Sequence, residues 1–299
     1  MIAEVLKGLT GDVAMGMAQA LCAIVICLGV VLLCRRFAVH VERETITSLA
    51  RGLVQMVVVG VVLAVLLHGN LLIATLILLG MTFAAAATAA RRAPDIEGAL
   101  PLSFYAIGAG AGLVIAAMLV TRTVTVDIAV LVPVGSMIIA NAMNACAQSM
   151  ERFRADVRAH VGQIEAALAL GAAPAVTVSP FVQSGVYASL LPRLDMLKSL
   201  GLVWIPGVMA GMLVSGASPI YAGIFQFIIV AMILAASGVA GLVATLLMRT
   251  RAFSNADQLM LRPGLETDRR GEATFTVAQL WPFGRPARRH NVTTRTARG

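Results

Sequence analysis

Met137, Asn141, Asn144 and Gln148 recur at spacings of four, three and four, which places them along one stripe of a helix. Three of the four are carboxamides inside a run, Ile128 to Ser149, that is otherwise apolar. A carboxamide in hydrocarbon needs a partner, and two chemistries supply one. It can hydrogen-bond across helices and tie a bundle together, or it can line a path for a polar or ionic solute. Met143 and Cys146 lie off this stripe; soft ligands of that kind suit a soft metal, but a Met-rich apolar helix reads first as core.

No acid, base or nucleophile constellation accompanies the stripe. The four histidines (His40, His68, His160, His290) are scattered, and no two carboxylates fall together within an apolar run. An enzyme is therefore not expected, and without a buried carboxylate a proton relay has no carrier. The cysteines Cys22, Cys27, Cys34 and Cys146 form neither a metal-type pair nor a disulfide framework.

The elements that must hold the stripe follow from composition. Of 299 residues, 59% are hydrophobic and 13% charged, and the mean hydropathy is +0.88, too apolar for a soluble chain of this length. The expected fold class is all-α: a polytopic integral membrane protein of about seven transmembrane helices. The 27 glycines sit among Ala, Ser and Thr, so helices should approach closely through small residues. Apolar runs long enough to span a bilayer occupy Ala14 to Cys34, Ile46 to Leu67, Leu71 to Ala90, Leu102 to Thr121, Ile128 to Ser149, Leu200 to Pro219 and Ala222 to Met248. The first ends in Arg35-Arg36 without a small-residue cleavage site, which reads as a retained span. The sixth contains Pro206, Gly207, Gly211 and Gly216 and is expected to be bent or broken, which a membrane tolerates only beside a neighbour or a wet cavity.

Basic residues alternate from side to side. All but Lys7 and Arg122 of the 23 Lys and Arg fall on one side, which the positive-inside rule makes cytoplasmic, with the N-terminus outside and the C-terminus inside. The net charge of +8 is thereby accounted for by orientation, and no nucleic-acid partner is expected. The permease body is expected to occupy 1–253, with a cytoplasmic loop at about 150–199. Residues 254–299 are expected to form a basic, disordered cytoplasmic tail, which binds either anionic lipid or nothing; membrane lipid is an expected partner of the chain as a whole. The second half of the loop, Phe181 to Leu197, is apolar enough to dip into the membrane or lie along it; a full crossing is rejected because it would carry the arginine-rich C-terminus outside.

Within that loop Glu165-Ala166-Ala167-Leu168-Ala169-Leu170-Gly171 has the pattern E-A-A-x-x-x-G: a short helix with a leading carboxylate, small residues and a terminating Gly, suited to a groove on a partner. Four blocks extend the comparison in order: Pro133 to Met150 (PVGSMIIANAMNACAQSM), Ile164 to Ala172 (IEAALALGA), Leu191 to Val203 (LPRLDMLKSLGLV) and Ile205 to Pro219 (IPGVMAGMLVSGASP). Together they resemble the FetB/YbbM family of ABC-transporter permeases, over roughly residues 10 to 253. The resemblance implies a seven-span permease paired with a separate ATPase and, from the bacterial members, iron export. It matches Asn141, Ala142, Met143 and Asn144 to a family N-A-M-N block, Glu165 to Gly171 to the coupling helix, Lys198 to a lysine, and Pro206, Gly207, Met209 and Gly211 to a turn. The sequence departs from the family where Asp195-Met196-Leu197-Lys198-Ser199 stands for the usual Asn-Ser-Met-Lys-Thr, and where Ala210 and Met212 replace the usual polar Thr and Gln around the turn.

The function expected is thus an ABC permease subunit. Glu165, Ala166, Ala167 and Gly171 would couple to an ATPase; Met137, Asn141, Asn144, Gln148, Pro206, Gly207, Met209 and Gly211 would line the path. No cofactor is expected on this chain. It lacks a G-x-x-x-x-G-K-[ST] phosphate loop, so ATP would be bound by the partner, and the family implies a homodimer. A stand-alone channel or carrier and a membrane scaffold are the competing classes.

Overall fold

A computed structural model describes residues 12–37, 42–66, 71–94, 96, 98–124, 127–254 and 258–261, and no strand occurs among them. Ten helices follow one another among the described residues. They are α1 (Asp12–Arg36), α2 (Glu42–Leu66), α3 (Leu71–Ala90), α4 (Ala99–Val120), α5 (Ile128–Ala159), α6 (Val161–Ala169), α7 (Pro174–Thr177), α8 (Ser179–Ser199), α9 (Gly207–Val214) and α10 (Pro219–Arg251). Five of them, α1, α3, α4, α5 and α10, are long and apolar enough to cross a membrane, and α2 carries a shorter apolar stretch at Thr45–Gly60. The protein is a polytopic all-α membrane protein, as its composition requires: every backbone polar group in hydrocarbon must be satisfied within its own helix.

Helices α3, α4, α5, α8 and α10 make the bundle, with α10 packed on α4, α5, α8 and α9. Lipid tails are as apolar as leucine, so helices gain little by hiding large side chains from them and associate instead where backbones come close. The buried positions follow that logic. Ala74, Ala86, Ala106, Ala142, Ala236, Ala240 and Ala244 are wholly buried, while Leu72, Leu76, Phe83, Tyr105 and Leu113 face outward. Among the described glycines the closest approach to a neighbouring backbone is at Gly110, where a Cβ would lie 2.5 Å from the Ala236 carbonyl oxygen.

The apolar run Ile128 to Ser149 lies within a longer helix, since α5 continues to Ala159, where Arg152 pairs with Asp156 at 3.1 Å, one turn apart. One sequence expectation is corrected. The sixth span is not a helix over Leu200 to Pro219. That stretch holds only the eight-residue α9, about 12 Å long, preceded by an exposed apolar turn in which Leu202 and Val203 are 87% and 86% exposed. The rest of the traverse is supplied by α8, which starts beside the end of α5, with Phe181 stacked on His160 at 5.1 Å. It then climbs antiparallel to α5, past Ser184 beside Arg152, to Arg193 beside Asn141. Residues 181–197 therefore enter the bundle, and α8 with α9 makes one interrupted traverse. The side assigned to the C-terminus is unchanged.

The helix ends agree with the charge asymmetry. At one end Asp127 caps α5, accepting from the Ala129 N–H at 3.1 Å, and Ser218 caps α10. At the other, Arg35 pairs with Glu42 at 3.5 Å and Arg92 with Glu151 at 3.3 Å; this basic end is the cytoplasmic one by the charge rule. Past α10 the chain folds back, the Met260 N–H donating to the Ala252 carbonyl at 2.9 Å, and Leu259 and Leu261 join the core. Residues 262–299, the remainder of the expected tail, lie outside the described residues.

Candidate functional site

The predicted stripe is a real face of α5, but its members differ. Met137 and Asn141 are half-buried, Asn144 and Gln148 exposed. The Asn141 amide donates back to the Met137 carbonyl at 2.9 Å, a bond within the helix that satisfies one end of the carboxamide without reaching another element. The interhelical link comes from a residue that sequence reasoning missed. Arg193 of α8 is 6% exposed, and its guanidinium donates through Nη1 to Gln148 Oε1 at 3.1 Å and through Nη2 to the Asn141 carbonyl at 3.2 Å. Ser237 of α10 lies near the same carbonyl at 3.5 Å. Arg193 thus bridges two stripe residues about two helical turns apart, and α5, α8 and α10 meet at this point.

Close contact between these three helices is what positions the guanidinium. A Cβ on Gly185 would sit 3.0 Å from the Ser149 carbonyl, and one on Gly241 would sit 2.7 Å from Ser189 Oγ. Small residues on all three helices therefore bring α8 within reach of the stripe. The signal in the sequence was the arginine itself, set in Leu190-Leu191-Pro192-Arg193-Leu194; it reads as one more cytoplasmic basic residue once the segment is taken for a loop.

Pro206, Gly207, Met209 and Gly211 form a separate group. Pro206 is the buried cap residue of α9, Gly207 and Gly211 are exposed, and Met209 is half-buried. The Met209 N–H donates to Gln226 Oε1 of α10 at 3.3 Å, so a buried carboxamide (2% exposed) satisfies one of the orphan donors at the helix start. Gln226 stands three turns along α10 from Ser237, about 16 Å, so the two groups predicted to share a path are not brought together. Gln226→Leu should release that N–H at a cost of about 1–3 kcal/mol. The check is hydrogen exchange: α9 amides should exchange at least several-fold faster than in the intact chain while those of α4 stay unchanged.

The remaining group sits at the basic end. Helix α6 follows α5 after a single residue, buries Ile164 and exposes Glu165 and Ala166, with Ala167 half-buried. Gly171, at φ 87°, ends it: the Gly171 N–H reaches the Leu168 carbonyl at 2.9 Å and the Ala172 N–H the Ala167 carbonyl at 3.0 Å. That is a Schellman motif, in which the left-handed residue is one only glycine adopts freely. Leu170 at the tip is 89% exposed. The arrangement presents a short, firmly ended helix on a rod of α5.

An all-α bundle with an interrupted helix pair and polar groups inside its spans defines a multi-pass membrane protein. Residues 17–253 match the uncharacterised protein family UPF0014, and the chain belongs to that family. It is 32% identical over 221 residues to the UPF0014 membrane protein STAR2 of Oryza sativa subsp. japonica, covering 73% of this chain and 77% of the relative. It is 29% identical over 248 residues to the protein ALUMINUM SENSITIVE 3 of Arabidopsis thaliana, covering 82% and 90%. To the probable iron export permease protein FetB of Escherichia coli (strain K12) it is 27% identical over 232 residues, covering 77% and 90%. No solved structure matches the chain.

Proposed function

We propose that the chain is the transmembrane permease subunit of an ABC transporter in the cell membrane, driven by a separate ATPase and exporting a metal ion such as iron or a related small solute. The bundle supports transport, and the Escherichia coli relative named as a probable iron export permease supports both the direction and the first solute to test. The single observation that carries the coupling half is α6. It exposes Glu165 and Ala166 at the basic end, on the extension of a span that also bears the polar stripe, so a push on α6 acts on the helix that lines the path. Glu165, Ala166, Ala167 and Gly171 are the docking residues in this reading, and ATP is bound by the partner. Asn144 and Gln148 lie exposed on an apolar span; a second copy of the chain covering them gives the homodimer, with two ATPase subunits.

The test is copurification in mild detergent with a candidate ABC ATPase subunit, scored by ATP hydrolysis. Charge reversal at an interface costs several kcal/mol, so Glu165→Lys should weaken the complex about a hundredfold or more and take the stimulated hydrolysis with it, while the variant still elutes as a folded bundle. An intact chain that recruits no ATPase would move the reading to a stand-alone channel or carrier, which the same exposed carboxamides would then serve.

A further inference from the structure

We infer that Arg193 is the centre of an oxyanion site reached from the basic end of the bundle, built to take a phosphate or carboxylate group. The inference rests on the permease reading and sharpens it: the solute is an anion, or a metal arriving within an anionic complex, in preference to a bare cation.

The argument begins with the charge. A guanidinium carries five N–H donors in a rigid fork. Here it has two hydrogen bonds, to Gln148 Oε1 and the Asn141 carbonyl, both neutral acceptors, and its Nε is buried without a partner. No carboxylate among the described residues pairs with it. The nearest in sequence, Asp195, is exposed and pairs with Lys198 at 3.4 Å. If the only task were to tie α5, α8 and α10 together, neutral groups would do it without burying a charge. A buried cation whose counter-charge is missing marks a place where an anion is received.

Its position fits reception from the cytoplasm. Measured along α5 from Ile128, Asn141 lies about 20 Å and Gln148 about 30 Å in, the latter at the far edge of a hydrocarbon core of about 30 Å. The guanidinium between them is therefore in the inner third of the bilayer. The exposed amides of Asn144 and Gln148 adjoin it on the stripe, and Arg152 stands one turn beyond Gln148. A cation would meet the opposite of what it needs here: a fixed positive charge, and no group of three His, Cys, Asp or Glu side chains placed to hold it among the described residues. An oxyanion can take the unused donors of the fork bidentately.

The oxyanion can belong to a soluble solute or to a lipid headgroup, and the experiment separates the two. The full-length chain is placed in nanodiscs of phosphatidylcholine and titrated with citrate and with inorganic phosphate by equilibrium dialysis. Saturable binding that weakens about tenfold or more in Arg193→Gln, and less in Arg193→Lys, supports a solute site. If soluble anions fail but phosphatidylglycerol discs raise the unfolding temperature of the intact chain and not of Arg193→Gln, the site is confirmed with a headgroup as its ligand. Equal responses of intact chain and Arg193→Gln to both sources overturn it, as does saturable Mn²⁺ or Fe²⁺ binding that survives Arg193→Gln where the anions do not bind. Should Arg193→Gln fail to fold, Arg193→Lys decides: it keeps the charge and loses the fork, and an unchanged citrate affinity overturns the site. Copurification with the ATPase reports separately. A lost anion response with an intact complex sinks this inference alone, and anion binding without any ATPase partner sinks the permease reading alone.

Discussion

Gly110→Leu should prevent the bundle from closing. A Cβ at this position would lie 2.5 Å from the Ala236 carbonyl oxygen, 2.9 Å from the Ala240 Cβ and 3.0 Å from the Ala240 nitrogen. All three belong to the backbone or its first side-chain atom on α10, so no flexible side chain can swing away. Overpacking by a methyl group alone costs about 1–3 kcal/mol, and a leucine must drive α4 and α10 apart along their whole contact, separating the alanines that hold them. Because helix association in lipid rests on such close packing, little else can compensate. The expected result is loss of the monodisperse species in detergent and recovery of aggregate only. Gly108 and Gly112 lie on the same helix with nothing within 4 Å of an added Cβ. Ala substitutions there should leave the elution profile and thermal stability unchanged, which separates a packing effect from a general intolerance of α4.

Phe153→Ala should have the second largest effect, for a different physical reason. Phe153 is wholly buried and sits where Gly185 of α8 meets α5, but it lies about 37 Å along α5 from Ile128, past the hydrocarbon core. There the alternative to burial is water and not lipid, so the full hydrophobic term applies. Truncating a buried Phe costs about 3–5 kcal/mol. The loss falls on the joint between α5 and the start of α8, within a core that also contains Val157, Ile164 and Val182. Thermal unfolding should occur well below that of the intact chain, and limited proteolysis should open the segment between α6 and α8 first. A variant as resistant as the intact chain would show that α8 is held by its contacts inside the membrane alone.

The fold class, most span positions and the polar stripe were legible because each is written in hydropathy or in a helical period. What hydropathy does not mark is where a helix begins and ends. It placed the sixth span over Leu200 to Pro219, whose most apolar residues, Leu202 to Ile205, form an exposed turn. It marked Phe181 to Leu197, most of α8, as able to dip into the membrane, and the charge rule then kept that segment from being read as a crossing. Pro180 sits in the first turn of α8, where its missing N–H is harmless, and Pro192 is accommodated inside it. Arg193 was illegible for a further reason: counting it as cytoplasmic charge fitted the alternation of basic residues, so nothing prompted a second role. The E-A-A-x-x-x-G helix was legible in form, since its Gly stands where a left-handed residue is needed. The separation between the stripe and the α9 turn was not, because it depends on which turn of α10 each one meets.

The length of α5 has a mechanical consequence. Its one internal interruption is Pro133, near the outer end, where a missing hydrogen bond makes bending cheapest. Beyond it the helix continues for about 39 Å to Ala159 and the attachment of α6. A stiff rod fixed at such a fulcrum is a lever with unequal arms. A tilt of about 10° would displace the α6 end by about 7 Å and the level of Asn141 by about 2 Å. Any large displacement of the α6 end is geared down to a small one at the level of Asn141, on the scale that separates a made hydrogen bond from a broken one.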